Sequence, residues 1–147
     1  WHARFDATAR SYEYILCASG SPFWRNNAWM VERLPDLVKM NEAAKLLLTE
    51  TDFASFCKVG SDNKTTICNV TRAEWVMEGE LVTFHITADR FLRNMVRAIV
   101  GSLYEVGNGK WSVAEFNARF AQKNRGTMGT SAPAQGLYLT EVTYNNL

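Results

Sequence analysis

The stretch ATARSYEYIL, Ala7 to Leu16, sets the frame for the rest of the chain. Successive side chains of a strand point to opposite faces. Ala7, Ala9, Ser11, Glu13 and Ile15 would therefore share one side, and Thr8, Arg10, Tyr12, Tyr14 and Leu16 the other. Tyrosine-rich, β-forming composition predicts a long strand over 7–19, closed by the turn signal SGSP at Ser19 to Pro22. Tyrosines in strands usually serve the core or the sheet face, and that structural reading stands beside any catalytic one for Tyr12 and Tyr14.

Downstream, the segment Phe23 to Leu34 is aromatic and irregular. Pro35 and Asp36 mark a helix start, after which Leu37, Met40, Ala44, Leu47 and Leu48 keep helical spacing. TDFASFC is a short connector and GSDNKTT (Gly60 to Thr66) a polar surface loop. Two strands, Ile67–Met77 and Leu81–Thr87, are expected to form a hairpin across EGE. A second helix is expected from Asp89, its N-cap, to Val106, ending at Gly107-Asn108-Gly109. A third runs from Ser112 to Lys123, and the loop RGTMGTSAPAQ leads to a last strand, Leu137–Tyr144. The order β-α-β-β-α-α-β predicts one α+β domain, a largely antiparallel sheet of about four strands with helices packed on one face.

With 147 residues, 47% hydrophobic and 21% charged, the chain has the composition of a single globular domain with a real core. No apolar run approaches the roughly 20 residues that cross a bilayer, and nothing reads as a secretory signal, so no membrane partner is expected. Cys17, Cys57 and Cys68 lack CxxC spacing, which argues against a disulfide framework and a zinc site and points to a reduced, cytoplasmic protein. Net charge is only +1, yet residues 85–125 hold seven basic side chains against three acidic ones. Such a segment suits a phosphate-rich partner, although charged helices most often simply face solvent.

The second helix carries the strongest chemical signal. Phe91, Leu92, Met95, Val96, Ile99, Val100, Leu103 and Val106 form a broad apolar face, which implies deep burial. Arg90, Arg93 and Arg97 recur at intervals of three and four, placing them on one stripe. Arg97 is the most enclosed, between Val96 and Ala98 with Gly101 one turn on. A guanidinium does not lose its charge, and burying it unpaired costs several kcal/mol. Its partner is either one of the chain's own acids, a plain internal salt bridge, or a catalytic carboxylate or ligand. Other signals are negative. His2 and His85 are far apart, no Cys/His spacing supports a metal, Gly107-Asn108-Gly109 follows a helix rather than a strand, and no aspartate stands out as a nucleophile.

Four collinear blocks, HARFDATARSYEY, DFASFC, ADRFLRNMVRAIVGSLYEVGNG and APAQGLYLTEVTY, resemble the C-terminal portion of the tRNA pseudouridine synthase A (TruA) family from His2 to Tyr144. The resemblance implies isomerisation of uridine to pseudouridine in the anticodon stem-loop of tRNA, at positions thirty-eight to forty, without metal or organic cofactor. It implies a homodimer that holds tRNA across both subunits. Carried over by residue, Tyr12 is the tyrosine that packs on the target base and a candidate for removing the C5 proton. Arg97 is the arginine that pairs with the catalytic aspartate, and Leu137 lines the same pocket. Arg4 and Arg10 are basic positions near the first strand, and Arg90 and Arg93 are candidate RNA contacts. The nucleophile of the family lies in an RTDxGVH-type motif that this sequence does not contain. Residues 1–147 are therefore expected to be the C-terminal domain, inactive alone, with the aspartate on an N-terminal domain. The competing classes are a non-catalytic RNA-binding module, using the same basic and aromatic surface, and a dimerisation module.

Overall fold

A computed structural model describes residues 7–18, 22–58, 60 and 65–144. Its frame is a five-stranded sheet built around β1 (Ala7–Cys17). Strand β3 (Val70–Glu78) and strand β4 (Leu81–Ala88) form the expected hairpin, with Gly79 at φ 63 in a two-residue turn. Turns of this length need a positive φ, which glycine adopts without penalty. β4 then pairs antiparallel with β1. The other edge of β1 is shared. β5 (Leu137–Tyr144) runs antiparallel along its first part, and the two-residue β2 (Trp29–Met30) lies parallel to Leu16 and Cys17. β2 falls inside the segment read from sequence as irregular, and two residues are too few to show alternation.

The register assigns the faces. Tyr12 stands opposite Ile86, Tyr14 opposite Phe84 and Leu16 opposite Val82. Tyr14, Leu16, Val82, Phe84 and Ile86 are fully buried, so this face of β1 is the core face. On it pack α1 (Leu37–Ala44), its single-turn continuation α2 (Leu46–Thr49), α3 (Met95–Gly107) and α4 (Val113–Ala121). The Asp36 side chain caps α1 by accepting from the Lys39 amide, and Ser112 caps α4 by accepting from Glu115. Phe53, Phe56, Phe116 and Phe120 form an aromatic cluster under the helices, with ring centroids 5.1 Å apart for Phe56 and Phe120. The fold is thus α+β and mostly antiparallel, as expected. No helix among the described residues is long and apolar enough to cross a membrane.

The second long helix departs from expectation. It begins at Met95, not Asp89, because Asn94 sits in the left-handed region at φ 67 and the backbone turns there. Asp89 does not cap it. Its carboxylate accepts from the Asn69 amide at 2.8 Å instead. Arg90 donates from Nη1 to the carbonyls of Thr65 and Ile67, both at 3.0 Å. Arg90, Arg93 and Arg97 therefore do not form one helical stripe. Phe91 and Leu92 reach the core from a connector whose apolar spacing mimics a helix.

Candidate active site

Arg97 lies in the first turn of α3, half-buried where the helix passes the β1–β5 edge. Its surroundings are carbonyls rather than acids. Nε donates to the Ala132 carbonyl at 2.7 Å, while the Ala132 amide donates back to the Arg97 carbonyl at 2.9 Å. No carboxylate among the described residues pairs with it. A guanidinium carries five N–H donors. One is committed, so four on the Nη nitrogens remain for an anion, in the fork geometry that suits a carboxylate or phosphate. The alternative of an internal salt bridge is not realised among the described residues.

The loop from Met128 to Pro133 holds this arginine in place. The Gly129 amide donates to the buried Ser102 hydroxyl at 3.0 Å. Gly101 lets the loop touch the helix, since a Cβ there would lie 1.9 Å from the Thr130 carbonyl oxygen. Tyr14, fully buried, donates its hydroxyl to the Pro133 carbonyl. Burial pushes the Tyr14 hydroxyl above the ordinary tyrosine range, against the opposing pull of the Arg97 charge. The neighbouring carbonyls of Ala132 and Pro133 are thus each tied to a site side chain, one to Arg97 and one to Tyr14.

Two cavities meet at this point. The smaller, about 80 Å³, is lined by Tyr12, Phe91, Leu92, Asn94, Met95, Val96, Arg97 and Leu137. The Tyr12 ring stands edge-on to Phe91, centroids 4.9 Å apart at 84°. Leu137 faces Tyr14 across the β1–β5 pair and lies diagonally from Tyr12. At about 80 Å³ this cavity is well under the ~300 Å³ of an ordinary ligand pocket. The larger, about 530 Å³, is lined by Lys58, Arg93, Asn94, Arg97, Ser131 and Leu137. A more voluminous cavity, about 860 Å³, lies at the opposite end of α3, around Gly107. With a rise of 1.5 Å per residue that is roughly 15 Å from Arg97. It mixes acidic and basic groups (Glu32, Arg33, Asp36, Lys110) and has no link to Tyr12 or Arg97.

The structure therefore brings Tyr12, Arg97 and Leu137 together. Arg93 is exposed at the rim of the larger cavity. Arg10 is exposed two residues before Tyr12 and lines neither cavity, and Arg90 is tied to the loop carbonyls described above. Arg4 lies outside the described residues. Phe91, Asn94 and Ser131 were not singled out for the site from sequence. Phe91 and Asn94 fall inside the block ADRFLRNMVR, and Ser131 in the proline-containing loop, so position in those blocks was their only signal. Among the described residues no cluster of His, Cys, Asp and Glu could hold a metal.

Comparison with known proteins shows the family. The family profile described as tRNA pseudouridine synthase matches residues 43–145. The tRNA pseudouridine synthase A of Bacteroides fragilis is 51% identical over 144 residues, which is 97% of this chain and 57% of that protein. That of Bacteroides thetaiotaomicron is 51% identical over 146 residues, 97% of this chain and 54% of its own length. That of Bacillus licheniformis is 38% identical over 148 residues, 99% and 60% respectively. The chain thus spans somewhat more than half the length of the curated relatives it matches. By the extent of the match, this chain belongs to the tRNA pseudouridine synthase family.

Proposed function

We propose that this chain supplies the arginine-bearing half of a pseudouridine synthase site acting on the anticodon stem-loop of tRNA. One observation carries the reading. Arg97 is held by the Ala132 carbonyl through Nε and lines a cavity with Tyr12 and Leu137, with no carboxylate among the described residues to neutralise it. An aspartate from a segment outside this sequence would take the Nη donors of Arg97 and be kept ionised for attack on the nucleotide. The N1–C1′ bond of the uridine breaks as the aspartate attacks, the detached base turns, C5 bonds to C1′ as the carboxylate is released, the C5 proton leaves and N1 takes up a proton. The base has to leave its stack first, at a cost of a few kcal/mol, and needs an aromatic or apolar wall to receive it. Tyr12, Phe91 and Leu137 are that wall, and Tyr12 is the group nearest to hand for the C5 proton. Arg93 at the rim, with Arg4, Arg10 and Arg90 further out, serves the RNA backbone. No metal or organic cofactor has a step in this chemistry.

The same reading places the parent protein in the cytoplasm as a homodimer with tRNA held across both subunits. The test is tritium release from [5-³H]uridine-labelled, unmodified tRNA. This chain alone should release none, and a full-length relative carrying Arg97→Ala at the matching arginine should lose turnover while still binding tRNA. Turnover by this chain alone would show that the nucleophile lies within it, and the half-site reading would fall.

A further inference from the structure

Beside the base-receiving wall lies the larger cavity, whose lining includes the cationic side chains of Arg93 and Arg97 and, among the described residues, no carboxylate. Its polar floor is Ser131. The Ser131 oxygen accepts from Asn94 Nδ2 at 2.6 Å and from Arg125 Nη2 at 3.0 Å. A hydroxyl has two acceptor lone pairs and one proton to donate. Both lone pairs are used, so the Ser131 proton is directed away from Asn94 and Arg125, and no acceptor for it occurs among the described residues. Asn94 is placed for this by its left-handed backbone, which asparagine tolerates better than most residues. Arg125 stands behind the serine, half-buried, and adds a further positive charge.

We propose that this cavity is a seat for one backbone phosphodiester of the RNA, with the Ser131 hydroxyl donating to a non-bridging oxygen and Arg93 and Arg97 flanking it. The inference rests on the RNA-modifying reading above but assigns a separate subsite. Phosphate contacts fix the register of a nucleic acid without reading its sequence. A phosphate anchored beside Arg97 would set which nucleotide faces Tyr12.

The test uses this chain and a uridine-centred RNA pentanucleotide, with binding followed by NMR titration of the protein amides and the Arg97 Nε–H. Each linkage is replaced in turn by a neutral methylphosphonate. In wild-type protein, a single linkage adjoining the uridine should account for most of the loss. Ser131→Ala should weaken the unmodified pentamer about tenfold, the scale of a hydrogen bond to a charged group. It should also abolish the penalty at that one linkage, the non-additivity expected of a direct contact. Ser131→Thr, which keeps the hydroxyl, should stay near wild type. Inorganic phosphate should shift the same resonances more weakly. Equal loss at all linkages in wild-type protein, or no shift at Ser131 and Arg97, would overturn the seat even if Ser131→Ala failed to fold. An adenosine-centred pentamer separates the two readings. Loss of uridine preference with the single-linkage effect intact leaves the seat standing and removes the synthase reading. Uridine preference without any Ser131 effect does the reverse.

Discussion

Gly101→Ala should detach Arg97 from its cradle without touching the arginine. Elsewhere in a helix this change adds about 1 kcal/mol of stability through helix propensity. Here the new methyl would sit 1.9 Å from the Thr130 carbonyl oxygen, 3.0 Å from its carbon and 3.2 Å from the Ala132 nitrogen. All three are backbone atoms, so no rotamer change relieves the clash. The loop must retreat by more than about 1 Å to reach an ordinary contact. That movement breaks the paired bonds between residues 97 and 132 and strains the bond from Gly129 to Ser102. Overpacking of this kind costs about 1–3 kcal/mol and each lost hydrogen bond about 1 kcal/mol. Against the propensity gain, the net expectation is destabilisation of about 2–4 kcal/mol. Urea unfolding should show a lower midpoint at unchanged slope, and the Arg97 Nε–H resonance should broaden or move towards its solvent-exposed position. A variant as stable as wild type, with the amides of residues 128–133 unshifted, would refute the close packing of α3 on this loop and the positioning of Arg97 derived from it.

Tyr14→Phe should cost about 1–2 kcal/mol by leaving the Pro133 carbonyl without its donor, measured by urea unfolding and accompanied by shifts at Ala132. Arg97→Ala in this chain should cost well under the ~3 kcal/mol lost when one member of a buried ion pair is removed, since its bound partner is a carbonyl. Burial pushes the Cys68 thiol from its ordinary 9.0 up to about 11. Above pH 9 the unfolded chain binds fewer protons at this site than the folded one, so stability falls as pH rises from 9.0 to about 11. Cys68→Ala should remove this decline, so the difference between wild-type and variant unfolding midpoints should change over that pH window and not below it. Arg72→Ala, by contrast, removes an ion pair to Glu74 in which both side chains are half-exposed, and should change stability by less than about 0.5 kcal/mol.

β1 and β4 were legible because one face of each is buried, and alternation then survives in composition. Tyr12, Tyr14 and Leu16 share one face of β1 as the alternation implied, and the register sets them opposite Ile86, Phe84 and Val82. The start of α3 was not legible. Phe91 and Leu92 carry helical spacing, but periodicity records which side chains are buried, not whether the backbone between them is continuous. Only Asn94, a residue type that tolerates positive φ, marked the break. Of the site, Tyr12, Arg97 and Leu137 could be named through the family blocks, whereas the loop that positions Arg97 could not. Its working groups are the carbonyls of Ala132 and Pro133 and the amides of Gly129 and Ala132. Every residue has such groups, so no residue type announces them.

That choice of partners has a chemical consequence. An arginine oriented by a carboxylate of its own chain would be fixed and largely neutralised together, and an incoming anion would have to compete with that ion pair. An arginine oriented by carbonyls is fixed through dipoles and keeps its full charge. The Ala132 and Pro133 carbonyls are in turn held by Arg97 and Tyr14, both anchored on regular elements. The guanidinium fork is therefore aimed before any anion arrives, so less ordering entropy is lost when one binds. Pre-organised charge of this kind costs folding stability in the isolated chain and returns it as affinity for whatever anion the fork receives. Arg97 therefore links the two readings of the site. Arg97 lines both the cavity beside Tyr12 and Leu137 and the one that contains Ser131.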